Sequence, residues 1–227
     1  MTLWAIVPVK PLRRGKSRLA GALTVDQRVE LNRKLLAHTV DTLISVPEIE
    51  QVLVVSRDPE ALSLSRDHGA RTLRETGTQH LNIALLRATE AASAQGASGV
   101  LIMPADLPKI TPIDIQVMVS EAQYPPVVVL APDHNFKGTN AILISPPGII
   151  EYSFGEDSFQ RHTALAEEYG AKVKVCELPS LAFDVDVPAD LALLDSNPEK
   201  WGLNGNGDGS GEKQKELSLE EYYENLD

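Results

Sequence analysis

Lys10, Arg13, Arg14, Lys16 and Arg18 crowd into nine residues of the stretch Val9-Lys-Pro-Leu-Arg-Arg-Gly-Lys-Ser-Arg18. Ammonium and guanidinium groups bind phosphate oxygens through charge-assisted hydrogen bonds, so this loop is a candidate cradle for a triphosphate. Charge alone equally allows a solvated basic turn. Gly15-Lys16-Ser17 has the ending of a P-loop, but Lys10 stands where that motif requires glycine, and the next helix starts only near Thr24. Both departures argue against a true P-loop. A second stretch, Met103-Pro-Ala-Asp106-Leu-Pro108, holds a carboxylate between two prolines, where either a stiffly held metal ligand or a turn aspartate fits. In the third, Ala182-Phe-Asp184-Val-Asp186-Val-Pro-Ala-Asp190, extended backbone projects Asp184 and Asp186 to one side. Together with Asp106 they suit magnesium, which takes one or two carboxylates plus phosphate oxygens and water. The alternative is a solvated strand end. Asp190 suits the first turn of a following helix.

A fourth group is discontinuous: Lys137-Gly-Thr-Asn140 and Phe154-Gly-Glu-Asp-Ser-Phe-Gln-Arg-His162. Gly138 and Gly155 permit close backbone approach to a ligand, while Thr139 and Ser158 bring hydroxyl donors. Ser158 begins a helix whose N-terminus would suit a carboxylate or phosphate, although capping by itself also accounts for Ser158.

The elements that must position these residues follow from hydrophobic spacing. Leu3 to Val9 and Val52 to Ser56 are apolar runs of strand length, and Val100 to Met103 is another. Thr24 and Gln27 form a capping-box pattern ahead of Leu31, Leu35, Val40 and Leu43, which recur at helical spacing. Asp58-Pro59 and Thr111-Pro112 open further helices, the latter with Asp114 in its first turn. Residues 81 to 95 and 158 to 168 read as helices, as does 188 to 195. Short strands are expected at 71–73, 127–130, 141–145 and 172–177. Strands alternating with helices predict a parallel sheet covered on both faces, and ligands in such sheets bind beyond the carboxyl ends of the strands. The basic loop and the Asp106 segment lie directly at the carboxyl ends of such strands.

The bulk numbers narrow the function. The 227 residues suffice for one α/β domain, with 43% apolar and 23% charged residues, the balance of an ordinary globular protein. The net charge of −11 argues against general nucleic-acid binding, and a local basic cluster on an acidic protein suggests a small anionic ligand. No apolar run approaches the roughly 20 residues of a membrane span. Cys176 is the only cysteine, which rules out an intrachain disulfide. The first residues read as a strand, so a cytoplasmic location is expected. A domain over 1–202 is followed over 203–227 by a Gly-rich flexible linker and an acidic tail. Homo-oligomerisation is open.

Six pieces in order carry a family resemblance: Pro8-Val-Lys-Pro with Lys16-Ser-Arg-Leu19; Leu81-Asn82 with Ala84-Leu85; Pro104-Ala-Asp-Leu-Pro108; Gly138-Thr-Asn-Ala141; Phe154-Gly155 with Ser158-Phe159 and His162; and Asp184-Val-Asp186 with Pro188. The chain resembles the 2-phospho-L-lactate and phosphoenolpyruvate guanylyltransferases of deazaflavin-coenzyme (F-420 type) biosynthesis. The resemblance implies a Rossmann-like nucleotidyltransferase fold with a mostly parallel sheet, and transfer of GMP from GTP to a small phosphorylated acid with release of pyrophosphate. It further implies magnesium on Asp106, Asp184 and Asp186, and GTP contacts from Lys10, Lys16, Arg18 and Asn82. Thr139, Gly155 and Ser158 would contact the acid, and Lys16 and Asp106 would serve catalysis. His80 stands where glycine often precedes Leu-Asn, and Val187 replaces a capping threonine. The candidate acids differ by a double bond, a methyl or a hydroxymethyl group, worth about 1–3 kcal/mol in a pocket; phosphoenolpyruvate is favoured. The rival readings are a nucleotidyltransferase of the 3-phosphoglycerate, sugar-phosphate or molybdenum-cofactor type, and a non-catalytic nucleotide-binding regulator.

Overall fold

The computed structural model describes residues 1–77, 80–194 and 198–203. From residue 204 onward the expected linker and tail lie outside the described residues. Seven strands form one sheet in the order β3-β2-β1-β4-β6-β5-β7. They are β1 (Leu3–Val9), β2 (Ile49–Ser56), β3 (Arg71–Arg74), β4 (Gly99–Ile102), β5 (Val127–Pro132), β6 (Thr139–Ser145) and β7 (Lys172–Val175). β1 is an interior strand buried on both faces: Leu3, Ala5 and Val7 enter one apolar cluster, Trp4 and Ile6 the other. This accounts for a continuous apolar run where a half-exposed strand would alternate.

The helices divide between the faces. α1 (Val25–Ile44), α2 (Pro59–Asp67) and α4 (Pro112–Glu121) pack on the first cluster, α3 (Leu81–Ser93) and α5 (Ser158–Glu168) on the second. The expected starts are present in atomic detail. Gln27 N–H donates to Thr24 Oγ1 at 3.2 Å while Thr24 N–H donates to Gln27 Oε1 at 2.9 Å. Asp58 caps α2 through Glu60 N–H, and Thr111 with Asp114 caps α4. Each such cap is worth about 1 kcal/mol.

The sheet is mostly parallel, as expected, with one exception, and one helix expectation is corrected. β6 runs antiparallel to β4 and β5. Only residues 133–138 join β5 to β6, whereas a parallel return needs a crossover of about a dozen residues or more. Asp133 builds the hairpin, its carboxylate accepting from the N–H groups of Asn135, Lys137 and Gly138. Gly138 is bare for this turn: a Cβ there would lie 2.7 Å from Asp133 Oδ2. The helix expected at 188–195 is instead a 3-10 segment, Pro188–Leu193, the tighter form used for short pieces. A four-residue helix, α6 (Pro179–Ala182), precedes it.

The chain reverses its direction of travel across the sheet between β1, whose successor β2 lies on one side, and β4 on the other. A crevice outside the strand ends at such a switch point is where open α/β sheets bind ligands.

Candidate active site

The basic loop leaves β1 and is tied down before it reaches Lys16. Leu12 N–H donates to Asp58 Oδ2 at 2.8 Å, and Asn32 Nδ2 donates to Leu12 O at 2.7 Å. Gly15 leaves room for that amide, since a Cβ would meet Asn32 Nδ2 at 2.6 Å. Lys16 then adopts a left-handed conformation, φ 55° and ψ 39°, and a 3-10 segment, Ser17–Gly21, intervenes before α1. The loop therefore does not feed straight into a helix N-terminus as a P-loop does. For a non-glycine residue this backbone costs about 1–3 kcal/mol and needs surrounding structure to hold it. The Lys16 contacts supply that hold. Its side chain is 6% exposed, with Nζ 3.0 Å from Asp106 Oδ2 and 3.1 Å from Asp186 Oδ1. Arg18 reaches Asp186 from solvent at 3.4 Å. Lys10 is exposed on the cavity wall, whereas Arg13 and Arg14 face solvent.

Alternation sets the two later aspartates. Phe183 and Val185 are buried in a third cluster with Leu19, Leu31, Leu35, Leu193, Leu194 and Trp201. Asp184 and Asp186 consequently project the other way. Burying Phe183 and Val185 is worth about 1.5–3 kcal/mol each, enough to set this register. Val185 N–H donates to Asp106 O at 3.2 Å, joining the strand end to the β4 loop. Asp190 caps the following turn from within, its Oδ2 accepting from Asp186 and Val187 N–H at 2.7 Å each. A threonine at 187 would add a hydroxyl acceptor; valine has none.

Asp106, Asp184 and Asp186 each offer a carboxylate oxygen, all within 4.8 Å of one another. With Lys16, three carboxylates and one ammonium leave a net charge of −2 when all are ionised, which a divalent cation neutralises. The strain of the cluster is visible at Asp184: burial, then repulsion from Asp106 and Asp186, raises its pKa to about 7 despite Lys16. At Lys16, burial works against the charge, but Asp106 and Asp186 outweigh it and raise its pKa. All-oxygen donors, anionic and crowded, fit a hard ion such as magnesium.

A cavity of about 290 Å³ opens beside this cluster. Lys10, Lys16, Asp106 and Asp186 line it toward β4, and Val55, Glu75, His80, Leu81 and Ala84 line it toward β3. It lies at the switch point.

Asn82, the second residue of α3, does not line this cavity. Both ends of its amide are engaged by one residue: Oδ1 accepts from Phe154 N–H at 3.0 Å, and Nδ2 donates to Phe154 O at 3.4 Å. It thereby braces the segment carrying Gly155, whose φ of 127° favours glycine. Thr139, Gly155 and Ser158 adjoin one another, with Thr139 N–H donating to Ser158 Oγ at 2.9 Å and Ser158 N–H to Gly155 O at 3.2 Å. Two N–H groups at the start of α5 are thus already engaged, because Phe159 N–H donates to Lys137 O. Thr139 and Ser158 are both buried.

Behind them His162, fully buried, acts as a structural bridge. Its Nε2 accepts from Ser153 N–H at 2.9 Å, so the neutral ring carries its proton on Nδ1, which donates to Thr139 Oγ1 at 3.0 Å. Burial, helped by the Arg161 charge, lowers its pKa to about 4. Between pH 6.5 and 4 the unfolded chain takes up this proton and the folded chain does not, so the His162 contribution falls with pH by about 3 kcal/mol. The raised pKa of Asp184 acts oppositely over much of the same window, which makes a difference measurement necessary. Chemical denaturation of the wild type and of His162→Gln from pH 7 to 4 should show the wild type losing about 3 kcal/mol more. Parallel pH profiles would refute the bridge.

Glu75 and Asn32, which also line the cavity, escaped the reading of the sequence, and His80 entered it only as a departure from the family pattern. Glu75 directly follows β3, so inspecting the end of each strand would have flagged it; β3 has only four residues and draws little notice.

A crevice at the switch point of a Rossmann-like sheet, walled by basic residues and an aspartate cluster, defines a nucleotidyltransferase. The chain belongs to the family described as Guanylyl transferase CofC like, whose model matches residues 3–200. It is 42% identical to a phosphoenolpyruvate guanylyltransferase of Rubrobacter xylanophilus, over 87% of this chain and 95% of that one. A phosphoenolpyruvate guanylyltransferase of Sphaerobacter thermophilus is 41% identical over 86% and 93%. Among solved structures, a protein of Desulfovibrio desulfuricans G20 described as a nucleotide-diphospho-sugar transferase superposes with a TM-score of 0.70 at 16% identity, covering 89% of this chain and 94% of that one. A 4-diphosphocytidyl-2C-methyl-D-erythritol synthase of Anaerococcus prevotii gives 0.57 at 13%, covering 83% and 92%. At these identities the structural likeness speaks for the fold, and the sequence relatives make the chain a guanylyltransferase. No described helix is long and apolar enough to cross a membrane.

Proposed function

We propose that this enzyme transfers GMP from GTP to phosphoenolpyruvate, releasing pyrophosphate, in the assembly of a deazaflavin coenzyme in the cytoplasm. The observation that carries the chemistry is the convergence of Asp106, Asp184 and Asp186 within 4.8 Å at the mouth of a nucleotide-sized cavity, beside Lys16. The acceptor identity rests on relatives named as phosphoenolpyruvate guanylyltransferases at 41–42% identity.

A phosphate oxygen of the acceptor attacks the α-phosphorus of GTP. The bond to the oxygen bridging the α- and β-phosphates breaks, pyrophosphate departs with that electron pair, and a new phosphoanhydride joins GMP to the acid. A phosphate is already an anionic nucleophile, so no general base is needed, in keeping with a structural His162. The difficulty is bringing two anions together, and catalysis rests on positioning and charge neutralisation. Asp106, Asp184 and Asp186 would hold magnesium, which when bound polarises and neutralises the phosphates. Lys16 adds a buried positive charge whose direction is set by its two carboxylate partners. Lys10 and Arg18 extend the positive field toward solvent, where the triphosphate would lie. The Thr139, Gly155 and Ser158 group, braced by Asn82 and His162, would receive the acid.

Incubation with GTP, magnesium and phosphoenolpyruvate, 2-phospho-L-lactate or 3-phosphoglycerate in turn, followed by a pyrophosphate assay, tests this. Phosphoenolpyruvate should give the highest kcat/KM. Tight GTP binding with no pyrophosphate from any acid would support a regulator instead, and a preference for another acid would change the acceptor but not the transfer.

A further inference from the structure

The cavity has two chemically different ends. Toward β4 stand cationic groups and the aspartate cluster; toward β3 the walls are Val55, Leu81 and Ala84, and among the described residues the one acid lining that end is Glu75. β3 and β4 are separated by β2 and β1, so the two ends lie about three strand spacings apart, roughly 14 Å. An extended nucleotide laid across that distance with its phosphates at the aspartates has its base against the apolar walls.

Glu75 is prepared for a fixed task. Its side chain is 13% exposed, and Arg57 Nη2 donates to its Oε1 at 3.2 Å. Arg57 is itself anchored, because the same nitrogen donates to Gly77 O. Glu75 N–H donates to Ser56 O at 2.9 Å, fixing the backbone to the end of β2. Among the described residues Oε2 has no hydrogen-bond partner. A carboxylate presents only acceptors. Of the common bases, guanine offers two adjacent donors on one edge, the ring N1–H and the 2-amino group. Adenine presents an acceptor at N1, which a carboxylate repels.

We propose that Glu75 is the base-reading residue of this enzyme, accepting from N1–H and the 2-amino group of guanine while Arg57 holds the carboxylate in place. The proposal deepens the guanylyltransferase reading and rests on its placement of the nucleotide. Hydrogen bonds to a charged group are worth about 1.5–3 kcal/mol, so loss of the 2-amino contact predicts that the wild type prefers GTP over ITP roughly 10–100-fold.

Glu75→Gln keeps the shape but replaces one acceptor oxygen by an NH2 donor. That donor faces the 2-amino group of guanine unfavourably and matches the 2-carbonyl of xanthine. GTP, ITP, XTP and ATP are compared on wild type and Glu75→Gln by equilibrium binding without an acceptor, and by pyrophosphate release with phosphoenolpyruvate. The expected result is a GTP-to-ITP preference that falls to within about threefold in the variant, with XTP binding improved at least tenfold. The gain for XTP reports a folded variant, and unchanged thermal unfolding gives a second check. A variant that retains the wild-type GTP-to-ITP ratio, or a folded variant that loses all four nucleotides equally, overturns the role of Glu75 and leaves guanylyl transfer standing. Glu75-dependent guanine preference in binding, without pyrophosphate release from any acid, supports the base reader and removes the transfer reading. A wild type indifferent to the base overturns Glu75 as reader.

Discussion

Asp106→Ala is expected to lower pyrophosphate release by about 10²–10³-fold, the loss typical when one preorganised electrostatic group leaves an active site. The fold should survive. Asp106 follows a buried strand, but its carboxylate is about one-third exposed, and Lys16 retains Asp186 at 3.1 Å when Asp106 is gone. Removing Asp106 also removes a carboxylate that helps hold the Asp184 pKa near 7. The unfolding midpoint should therefore shift little while turnover collapses. The Asp106→Asn variant separates charge from shape: it should be as inactive as alanine if Asp106 serves as an anionic ligand. Turnover at the wild-type level in either variant would end the metal assignment.

The second large effect concerns stability. With magnesium at 100 times its dissociation constant, the wild type should gain about 2.7 kcal/mol over the chelated protein, since the ion binds the folded cluster and not the unfolded chain. For a domain of this size that corresponds to a rise in unfolding midpoint of about 5–10 °C. Lys16→Met should exaggerate the effect. Without the ammonium, three carboxylates share one site with no internal counter-charge, and the chelated variant should lose about 2–3 kcal/mol. This is less than for a fully buried pair because Asp106 and Asp186 keep access to water. Magnesium should recover part of that loss, giving a larger shift than in the wild type, while transfer stays impaired because the ammonium is missing. Thermal unfolding in EDTA and in magnesium measures both proteins. Identical midpoints in the two buffers for the wild type would be incompatible with a divalent site at these aspartates.

These effects rest on residues that were unequally visible in the sequence. Asp184 and Asp186 were legible because alternation is local: Phe183 and Val185 are apolar, so the residues between them face the other way. Asp106 was legible because it follows a buried strand between prolines. The capping residues Thr24, Asp58 and Thr111 were legible because a cap acts within three residues. The direction of β6 was less so, because strand length and apolarity are the same in either direction. Only the short connection 133–138, with Asp133 and Gly138, carried the signal. The bracing of Phe154 by Asn82 and the His162 bridge between Thr139 and Ser153 link residues far apart in the chain, and no spacing rule announces such pairs.

Local chemistry thus determined, from sequence by itself, most of the strands and helices, the aspartates that the fold gathers into one cluster, and the family to which the chain belongs. Tertiary structure alone decided that Lys16 turns inward to neutralise Asp106 and Asp186, and that Glu75 shares their cavity. The reason is physical. Burial and charge pairing depend on distances between segments separated by up to 170 residues, and those distances exist only after the sheet has assembled around β1.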